Sequence, residues 1–325
     1  MSATLAQATG PAYTRIYSYG AARGENAVPN DDLIGPIDSS DEWIRQRTGI
    51  ITRVRADKDT DAIDLATTAA AEAIEKAGVP ADQVDLVIVA TVSNPKQTPS
   101  VSAIVADRVG ANPAAAYDIN AACAGYAYAI AQADALIKAG TARYALVIGT
   151  EKLSDIVDPA DRSISFLLGD GAGAALIGPS DTPGISPAVW GSDGSKADAV
   201  GMNATLTEFR DGEVPWPTLR QEGPTVFRWA VWEMAKVARE ALDRAGVEPS
   251  EPHTAGEMPG VSLGPISAAP APSPSRNEML RSVGSTTSDS FSVPITRAWR
   301  AVPALMSASA CAIAYAYPAQ AALMS

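Results

Sequence analysis

One segment near the middle of the chain restricts the possible folds more than any other: residues 118–126, which read DINAACAGY. A short apolar run over residues 114–119 predicts a buried strand, and a helical pattern follows from Cys123 to about Lys138. That helix has one apolar face at helical spacing, formed by Tyr126, Ile130, Ala133 and Ile137. Cys123 is therefore predicted to lie where a strand meets the N-terminus of a helix.

Cys123 has the sequence surroundings that a covalent nucleophile requires. Backbone N–H groups at the start of a helix favour an anion, so a thiol placed there ionises more readily. The small residues on both sides leave room for a substrate to reach the sulfur. The alternative is a buried structural cysteine, which is what most lone cysteines are. Position alone favours neither interpretation.

Length and charge restrict the class of protein. The 325 residues are enough for one large domain or for two halves. Hydrophobic residues make up 46% of the chain and charged residues 19%, which is typical of a globular protein and not of a disordered one. The net charge of −12 argues against nucleic acid as a partner, and an acidic carrier protein would need a local basic patch.

Cysteine and histidine are scarce, since the chain has only Cys123, Cys311 and His253. Two distant cysteines do not form a disulfide framework, and with a single histidine they do not form a zinc site, so no metal is expected. Residues 1–14 have neither the basic region nor the apolar region of a signal peptide. The expected compartment is therefore the cytoplasm.

Strands and helices alternate along the first 180 residues. Apolar runs predict strands at residues 15–19, 84–92, 114–119, 144–149 and 171–178. Helical periodicity predicts helices at residues 61–77, 99–109 and 123–138. This alternation predicts a mainly parallel sheet with helices on both faces. A second series is predicted to begin at residues 184–190, and a further helix over residues 224–245 is predicted to end at Gly246.

The C-terminal region differs in character from the rest. Residues 251–325 contain four basic and four acidic side chains, so the entire net charge of −12 comes from residues 1–250. The region is rich in Pro, Ser and Ala, and as far as about residue 290 it has no clear strand or helix period, so it is poorly suited to building a core. Residues 301–324 are uncharged and about as long as a membrane span, but two prolines interrupt them, so no span is expected.

Residues 1–250 resemble β-ketoacyl-ACP synthase III, the condensing enzyme that begins type II fatty-acid synthesis. The resemblance is highly specific, because several short segments match the family in the same order. These segments are residues 40–44 (SDEWI), 47–50 (RTGI), 118–125 (DINAACAG), 161–162 (DR), 169–174 (GDGAGA) and 223–227 (GPTVF).

The resemblance implies an α/β thiolase fold, in which two similar halves with mixed sheets stack as α-β-α-β-α layers. Residues 1–180 are then the N-terminal half and residues 181–250 the start of the C-terminal half, so the first half is complete and the second is incomplete. The implied reaction transfers an acyl group from acyl-CoA to Cys123 and condenses it with malonyl-ACP. The resemblance also implies a homodimer, acyl-CoA and acyl carrier protein as partners, no membrane attachment and no metal or redox cofactor.

The resemblance also assigns a binding site. Trp43 and Arg162 match the pair of residues that sandwiches the adenine of coenzyme A in the family. Arg47 and Phe227 belong to matching segments and are assigned to the same substrate-binding region. The alternatives are that Trp43 is a core residue covering the sheet and that Arg162 is an ordinary surface charge.

Two other positions follow from the family pattern. Arg228 falls where the family often has a basic residue facing coenzyme A or the carrier protein. Thr98 occupies a place where some members have a bulkier aromatic residue, so a small residue there indicates a longer or branched acyl primer.

The glycines of residues 169–173 resemble half of a dinucleotide-binding fingerprint. A strand and not a helix is predicted to follow them, so a nicotinamide cofactor is not expected.

The family pattern breaks in the last quarter of the chain. The condensing step needs hydrogen-bond donors for the developing enolate oxygen. In the family these are a histidine in the motif Pro-His-Gln-Ala-Asn and an asparagine in the motif Gly-Asn-Thr-Ser. Here Pro252-His253 is followed by Thr254-Ala255-Gly256, and Gly284-Ser285-Thr286 has a serine in place of the amide.

These departures lead to a hypothesis about residues 251–325: a shift of reading frame or an unrelated segment has replaced the family's C-terminus. Loss of the strands that complete the second half predicts reduced stability, since unpaired strand edges promote aggregation. Two functions therefore compete. The first is a working acyltransferase of the β-ketoacyl-ACP synthase III type. The second is a defective family member that at most binds coenzyme A or the carrier protein, or acylates itself.

Overall fold

The computed structural model of the chain describes residues 9–247. Cys311 and His253, the predicted tail and the stretch weighed as a membrane span all lie outside the described residues. Fifteen helices and strands make up the described part, in the order β1 Tyr13–Arg23, β2 Asn26–Pro29, α1 Asp41–Thr48, β3 Thr52–Arg55, α2 Ala62–Ala77, β4 Leu86–Ala90, α3 Val101–Val109, β5 Ala115–Ile119, α4 Gly125–Lys138, β6 Ala145–Lys152, β7 Asp170–Ser180, β8 Val200–Met202, α5 Leu206–Arg210, β9 Leu219–Gln221 and α6 Gly223–Ala245.

The central sheet has five strands in the order β1-β7-β6-β4-β5. Strand β4 pairs in parallel with β5 and with β6. Strand β7 pairs antiparallel with β6 and with β1. The mainly parallel sheet expected from the alternation of elements is therefore wrong for β1 and β7. The chain passes from β6 to β7 without the crossover helix that a parallel neighbour requires. The mixed sheet that the family resemblance implies is what the structure has.

Helices cover both faces of this sheet. Along β6, Leu146 and Ile148 point to the face that α2 and α3 cover. The alternate residues Ala145 and Val147 point to the other face, where they pack against α4. This alternation follows from the two-residue period of a strand, and it makes β6 buried on both sides.

The helix boundaries follow from local capping signals. Asp61 precedes α2 and forms a capping box with Asp64, and Gly78 ends the helix at a φ of 64°. Ser100 caps α3 by accepting a hydrogen bond from the Ala103 N–H. The predicted helices at residues 61–77 and 99–109 are thus confirmed to within two residues.

The part of the chain after β7 is organised differently from the expectation. Residues 184–190, predicted to begin a second series, form no strand: Gly184 lies against Thr14 and Arg15 of β1, but the segment does not join the sheet. A small antiparallel ribbon of β8 and β9 is present instead. Helix α6 forms over nearly the predicted range and ends at Gly246. None of the described helices is long and apolar enough to cross a membrane.

Candidate active site

The site begins at the edge of the sheet where three parallel strands end together. Ala90 of β4 lies between Ile119 of β5 and Gly149 of β6 in the strand register. The chain leaves each strand at this edge, so the residues after β4 and β5 and the last residues of β6 meet there. Clefts outside the carboxyl ends of parallel strands are the usual binding places in such sheets.

Cys123 lies in a single turn of 3₁₀ helix, Ala122–Ala124, between β5 and α4. This is the predicted junction of a strand and a helix N-terminus. The Cys123 side chain is exposed, so the interpretation as a buried structural cysteine is wrong. Ala122 has a φ of 44°, in the left-handed region that residues with a side chain seldom adopt. Such backbone strain is typical of functional turns.

The start of α4 is pressed against the sheet. Gly125, the first residue of the helix, is buried, and a Cβ atom there would lie 2.9 Å from the Cβ of Ala90. The next residue, Tyr126, packs its ring over Gly149. The glycine at position 125 therefore lets the helix begin close to β4, immediately after the cysteine.

Asp118 connects the cysteine strand to a neighbouring helix. Its carboxylate accepts hydrogen bonds from the backbone N–H groups of Val101 and Ser102, at 2.7 and 2.9 Å. These are two of the orphan donors of the first turn of α3. The structure thus gives Asp118 a capping role that the sequence pattern alone does not reveal.

Glu151 is a functional candidate that sequence reasoning missed. Its side chain is buried, with 3% of the residue surface exposed, and its carboxylate accepts hydrogen bonds from residues 91–93, the segment that follows β4. Burial raises the pKa of Glu151 to about 7, although the hydrogen bonds act in the opposite direction. The available signal was an acidic residue two positions after the apolar run of residues 144–149.

Trp43 and the two arginines assigned to the binding region form one cluster. Helix α1 positions Trp43, whose backbone N–H donates to the Ser40 hydroxyl at the helix start. The guanidinium carbons of Arg47 and Arg162 lie 4.4 and 4.9 Å from the centre of the Trp43 ring. Phe166 contacts the same ring edge to face, with ring centres 5.4 Å apart. Trp43 is half-buried and lies over Arg162, so it is not simply a core residue.

The other predicted binding residues lie on different elements. Thr98 is exposed on the loop between β4 and α3. Phe227 and Arg228 are exposed in the first turns of α6, and Phe227 has 43% of its surface accessible. The described ring contacts of Trp43 include neither of these two α6 residues.

Two alternatives concern cofactors. The glycine-rich residues 169–173 enter β7, which is a strand as expected and not the helix that a dinucleotide-binding fingerprint opens. Within residues 9–247, no group of three or more His, Cys, Asp or Glu side chains is arranged to hold a metal ion.

Comparisons with known proteins agree on one family. A family model described as 3-oxoacyl-[acyl-carrier-protein] synthase III matches residues 117–194, which include Cys123. The β-ketoacyl-[acyl-carrier-protein] synthase III of Kocuria rhizophila is 54% identical over 272 residues, with 77% of each chain covered. The protein of the same name from Tropheryma whipplei is 52% identical over 239 residues, with 74% of each chain covered.

Solved structures give the same answer for the fold. The priming β-ketosynthase of a polyketide biosynthetic pathway matches with a TM-score of 0.73 and 40% identity, over 76% of this chain and 74% of that one. The 3-oxoacyl-[acyl-carrier-protein] synthase III of Aquifex aeolicus matches with a TM-score of 0.66 and 38% identity, over 73% of this chain and 74% of that one. The expected thiolase fold class is confirmed. The chain belongs to the β-ketoacyl-[acyl-carrier-protein] synthase III family.

Proposed function

We propose that this chain is an acyltransferase of the β-ketoacyl-ACP synthase III type, in which Cys123 accepts an acyl group from acyl-CoA. The observation that carries the proposal is the exposed Cys123 on a strained turn between β5 and α4. An exposed thiol at the start of a helix combines access for a substrate with the favourable end of the helix dipole.

The proposed first step is a thioester exchange. The Cys123 thiolate attacks the carbonyl carbon of acyl-CoA, and coenzyme A leaves as the thiolate, so that an acyl-cysteine forms. In the second step malonyl-ACP loses CO2, and the resulting carbanion attacks the acyl-cysteine. The bond to sulfur breaks, Cys123 regains its thiolate and 3-oxoacyl-ACP is released. No metal or redox cofactor takes part in this proposal.

Trp43 and Arg162 are proposed to hold the adenine of coenzyme A between them. Their present separation of 4.9 Å is one stacking contact. Insertion of a flat ring needs about 7 Å, twice the usual contact distance of about 3.5 Å. Arg162 is exposed, so its side chain is free to move outward by the required distance. Arg47 then keeps its contact with Trp43 and holds the indole ring in place.

The remaining assignments are proposals from the family pattern. Phe227 and Arg228 are proposed to contact coenzyme A or the acyl carrier protein from the exposed start of α6. Thr98 is proposed to border the acyl pocket and to admit a longer or branched primer. A homodimer in the cytoplasm is also proposed. Strand β5 lies at the edge of the sheet, where its outer backbone groups are available to pair with a second chain.

A specific observation favours the second candidate function, a family member that acylates itself or binds coenzyme A but does not condense. The sequence has Thr254 and Ser285 where the family motifs continue with glutamine and asparagine. We propose that residues 251–325 replace the family's C-terminus. Sequencing the DNA around codon 250 tests this, and a simple frameshift is ruled out if every downstream frame lacks both motifs.

The experiment that tests the proposed function is the intact mass of purified full-length protein after incubation with a short acyl-CoA. We expect a mass gain of one acyl group that is absent in a Cys123→Ala variant. Addition of malonyl-ACP then separates the two candidates. Discharge of the acyl group with formation of 3-oxoacyl-ACP supports the working enzyme, and a persistent acyl-cysteine supports the defective one. No mass gain in folded protein would refute acylation of Cys123.

A further inference from the structure

No step of the proposed reaction uses Glu151, yet its carboxylate is buried at the sheet edge where Cys123 lies. Four donors converge on it: the backbone N–H groups of Val92 and Ser93 and the hydroxyl groups of Thr91 and Ser93. The two backbone N–H groups donate at 3.0 Å. The Ser93 hydroxyl also accepts a hydrogen bond from the Lys152 N–H at 2.8 Å, so this serine links β6 to the segment after β4.

The strand register places Glu151 on the same side of the sheet as the helix that follows Cys123. Gly149 of β6 faces Tyr126 of α4, and a residue two positions further along a strand points to the same face. Strand β4 pairs with β6 only as far as Gly149. The Glu151 side chain therefore extends past the end of β4 and receives the donors of residues 91–93, which will be called the 91–93 segment.

The 91–93 segment is in turn attached to both sides of the cysteine turn. The Thr91 N–H donates to the carbonyl oxygen of Ile119, the last residue of β5, at 3.3 Å. The residue before this segment, Ala90, packs against Gly125, where α4 begins. Ile119 and Gly125 bracket the turn that contains Cys123. A displacement of the 91–93 segment is thus transmitted to both ends of that turn.

We propose that Glu151 is a positioning residue for Cys123: by holding the 91–93 segment, it fixes the turn that presents the thiol. When ionised, this side chain suits the task because it offers acceptors only, and all four groups that face it are donors; the test is therefore made at about pH 8. The inference rests on the proposed function only in so far as acyl transfer uses Cys123. The reactivity of the thiol itself can be measured without acyl-CoA.

Glu151→Gln is the smallest change that tests the proposal. One carboxylate oxygen accepts a hydrogen bond from the Val92 N–H alone. The other oxygen shares that donor and also accepts hydrogen bonds from the Ser93 N–H and from the hydroxyl groups of Thr91 and Ser93. An amide keeps its oxygen at the second position and turns its NH2 group toward the Val92 N–H. Two donors then face each other, and the 91–93 segment has to move.

Asp170→Asn is the matched control. Asp170 is also 3% exposed, and its carboxylate accepts three hydrogen bonds, from the Ala56 N–H and from the N–H and hydroxyl of Ser154. These donors do not belong to the 91–93 segment. Both variants replace a buried carboxylate by an amide, so both are expected to lower the stability of the protein. Only Glu151→Gln is expected to change the reactivity of the Cys123 thiol.

The measurement is the rate constant for alkylation of Cys123 by iodoacetamide in full-length protein. All proteins carry Cys311→Ser, so that one thiol remains, and the melting temperature of each is recorded. We expect Glu151→Gln to slow alkylation by about tenfold or more, since alkylation requires the thiolate, and a turn displaced from the start of α4 loses the backbone N–H groups that favour it. Asp170→Asn is expected to react at nearly the wild-type rate despite a similar loss of melting temperature.

Ser93→Ala keeps the test decisive if Glu151→Gln does not fold. It removes one of the four donors and the link to Lys152, so we expect slower alkylation in the same direction but to a smaller extent. The proposal is overturned if Glu151→Gln reacts at the wild-type rate, or, when only Ser93→Ala folds, if Ser93→Ala does so. It is also overturned if Asp170→Asn slows alkylation as much as Glu151→Gln does. If acyl-CoA fails to acylate the parent protein while the alkylation pattern holds, the proposed function is wrong and the positioning role stands.

Discussion

The ionisation of Glu151 should make the stability of this protein depend on pH in a defined direction. Burial raises the pKa of Glu151 from 4.5 to about 7 in the folded chain. The folded state therefore binds a proton more tightly than the unfolded state does. Between these two pKa values the unfolded chain has lost the proton while the folded chain keeps it, so the free energy of unfolding falls as the pH rises.

The size of the effect follows from the two pKa values. Each unit of difference in pKa corresponds to about 1.4 kcal/mol, so a change from 4.5 to about 7 corresponds to about 3 kcal/mol. This contribution is fully present below pH 4.5 and is lost once the pH exceeds about 7. For a domain with a total stability of about 5–15 kcal/mol, a loss of this size is large.

Comparison with Glu151→Gln isolates this effect from all other carboxyl groups. The glutamine side chain has the shape of the protonated carboxyl group but does not titrate. Guanidinium chloride unfolding of both proteins from pH 4.5 to 8 should show that the stability advantage of the wild type over the variant shrinks by about 3 kcal/mol. If the stability difference between the two proteins stays constant over this range, or grows with pH, burial does not raise the pKa of Glu151.

Three further predictions concern separate parts of the structure. Gly125→Ala places a Cβ atom 2.9 Å from that of Ala90, so it should destabilise the fold by about 1–3 kcal/mol in chemical unfolding; an unchanged midpoint would contradict the close approach. Asp61→Ala removes the capping box of α2 and should cost about 1 kcal/mol in the same assay, whereas Asp61→Ser should restore most of it. Trp43→Ala should weaken coenzyme A binding by about 1–3 kcal/mol in calorimetry of the folded variant, and it should also lower the melting temperature because the indole packs on Phe166; equal binding by both proteins would exclude adenine stacking on Trp43.

The elements that the sequence predicts well are those with local signals. Helix α2 is framed by Asp61 and Gly78, and α6 by its start after Glu222 and its end at Gly246, so neighbouring residues determine both boundaries. The position of Cys123 between a strand and a helix was predictable for the same reason. Strand direction was not, because pairing of β7 with β1 and β6 depends on contacts far apart in the sequence.

The hydrogen bonds of Glu151 show the same limit at the site. The glutamate is 58–60 residues away in sequence from the 91–93 segment that it holds, and no periodicity links the two. The contact between Trp43 and Arg162 is similarly remote, and it was expected only because the family resemblance pairs these residues. Local patterns therefore indicated the candidate nucleophile, while the groups proposed to support it required the three-dimensional structure.

The loop between β4 and α3 is fixed at both ends and exposed in its middle. Glu151 holds the 91–93 segment, Asp118 holds the first N–H groups of α3, and residues 95–99 between them are exposed. On the proposal that Thr98 borders the acyl pocket, the middle of this loop is a suitable place for engineering acyl-chain selectivity. Even a doubling of loop length costs only about 0.6 kcal/mol in chain entropy. Libraries that vary residues 95–98 in sequence and length should therefore yield mostly folded proteins, with the cysteine turn left in its frame.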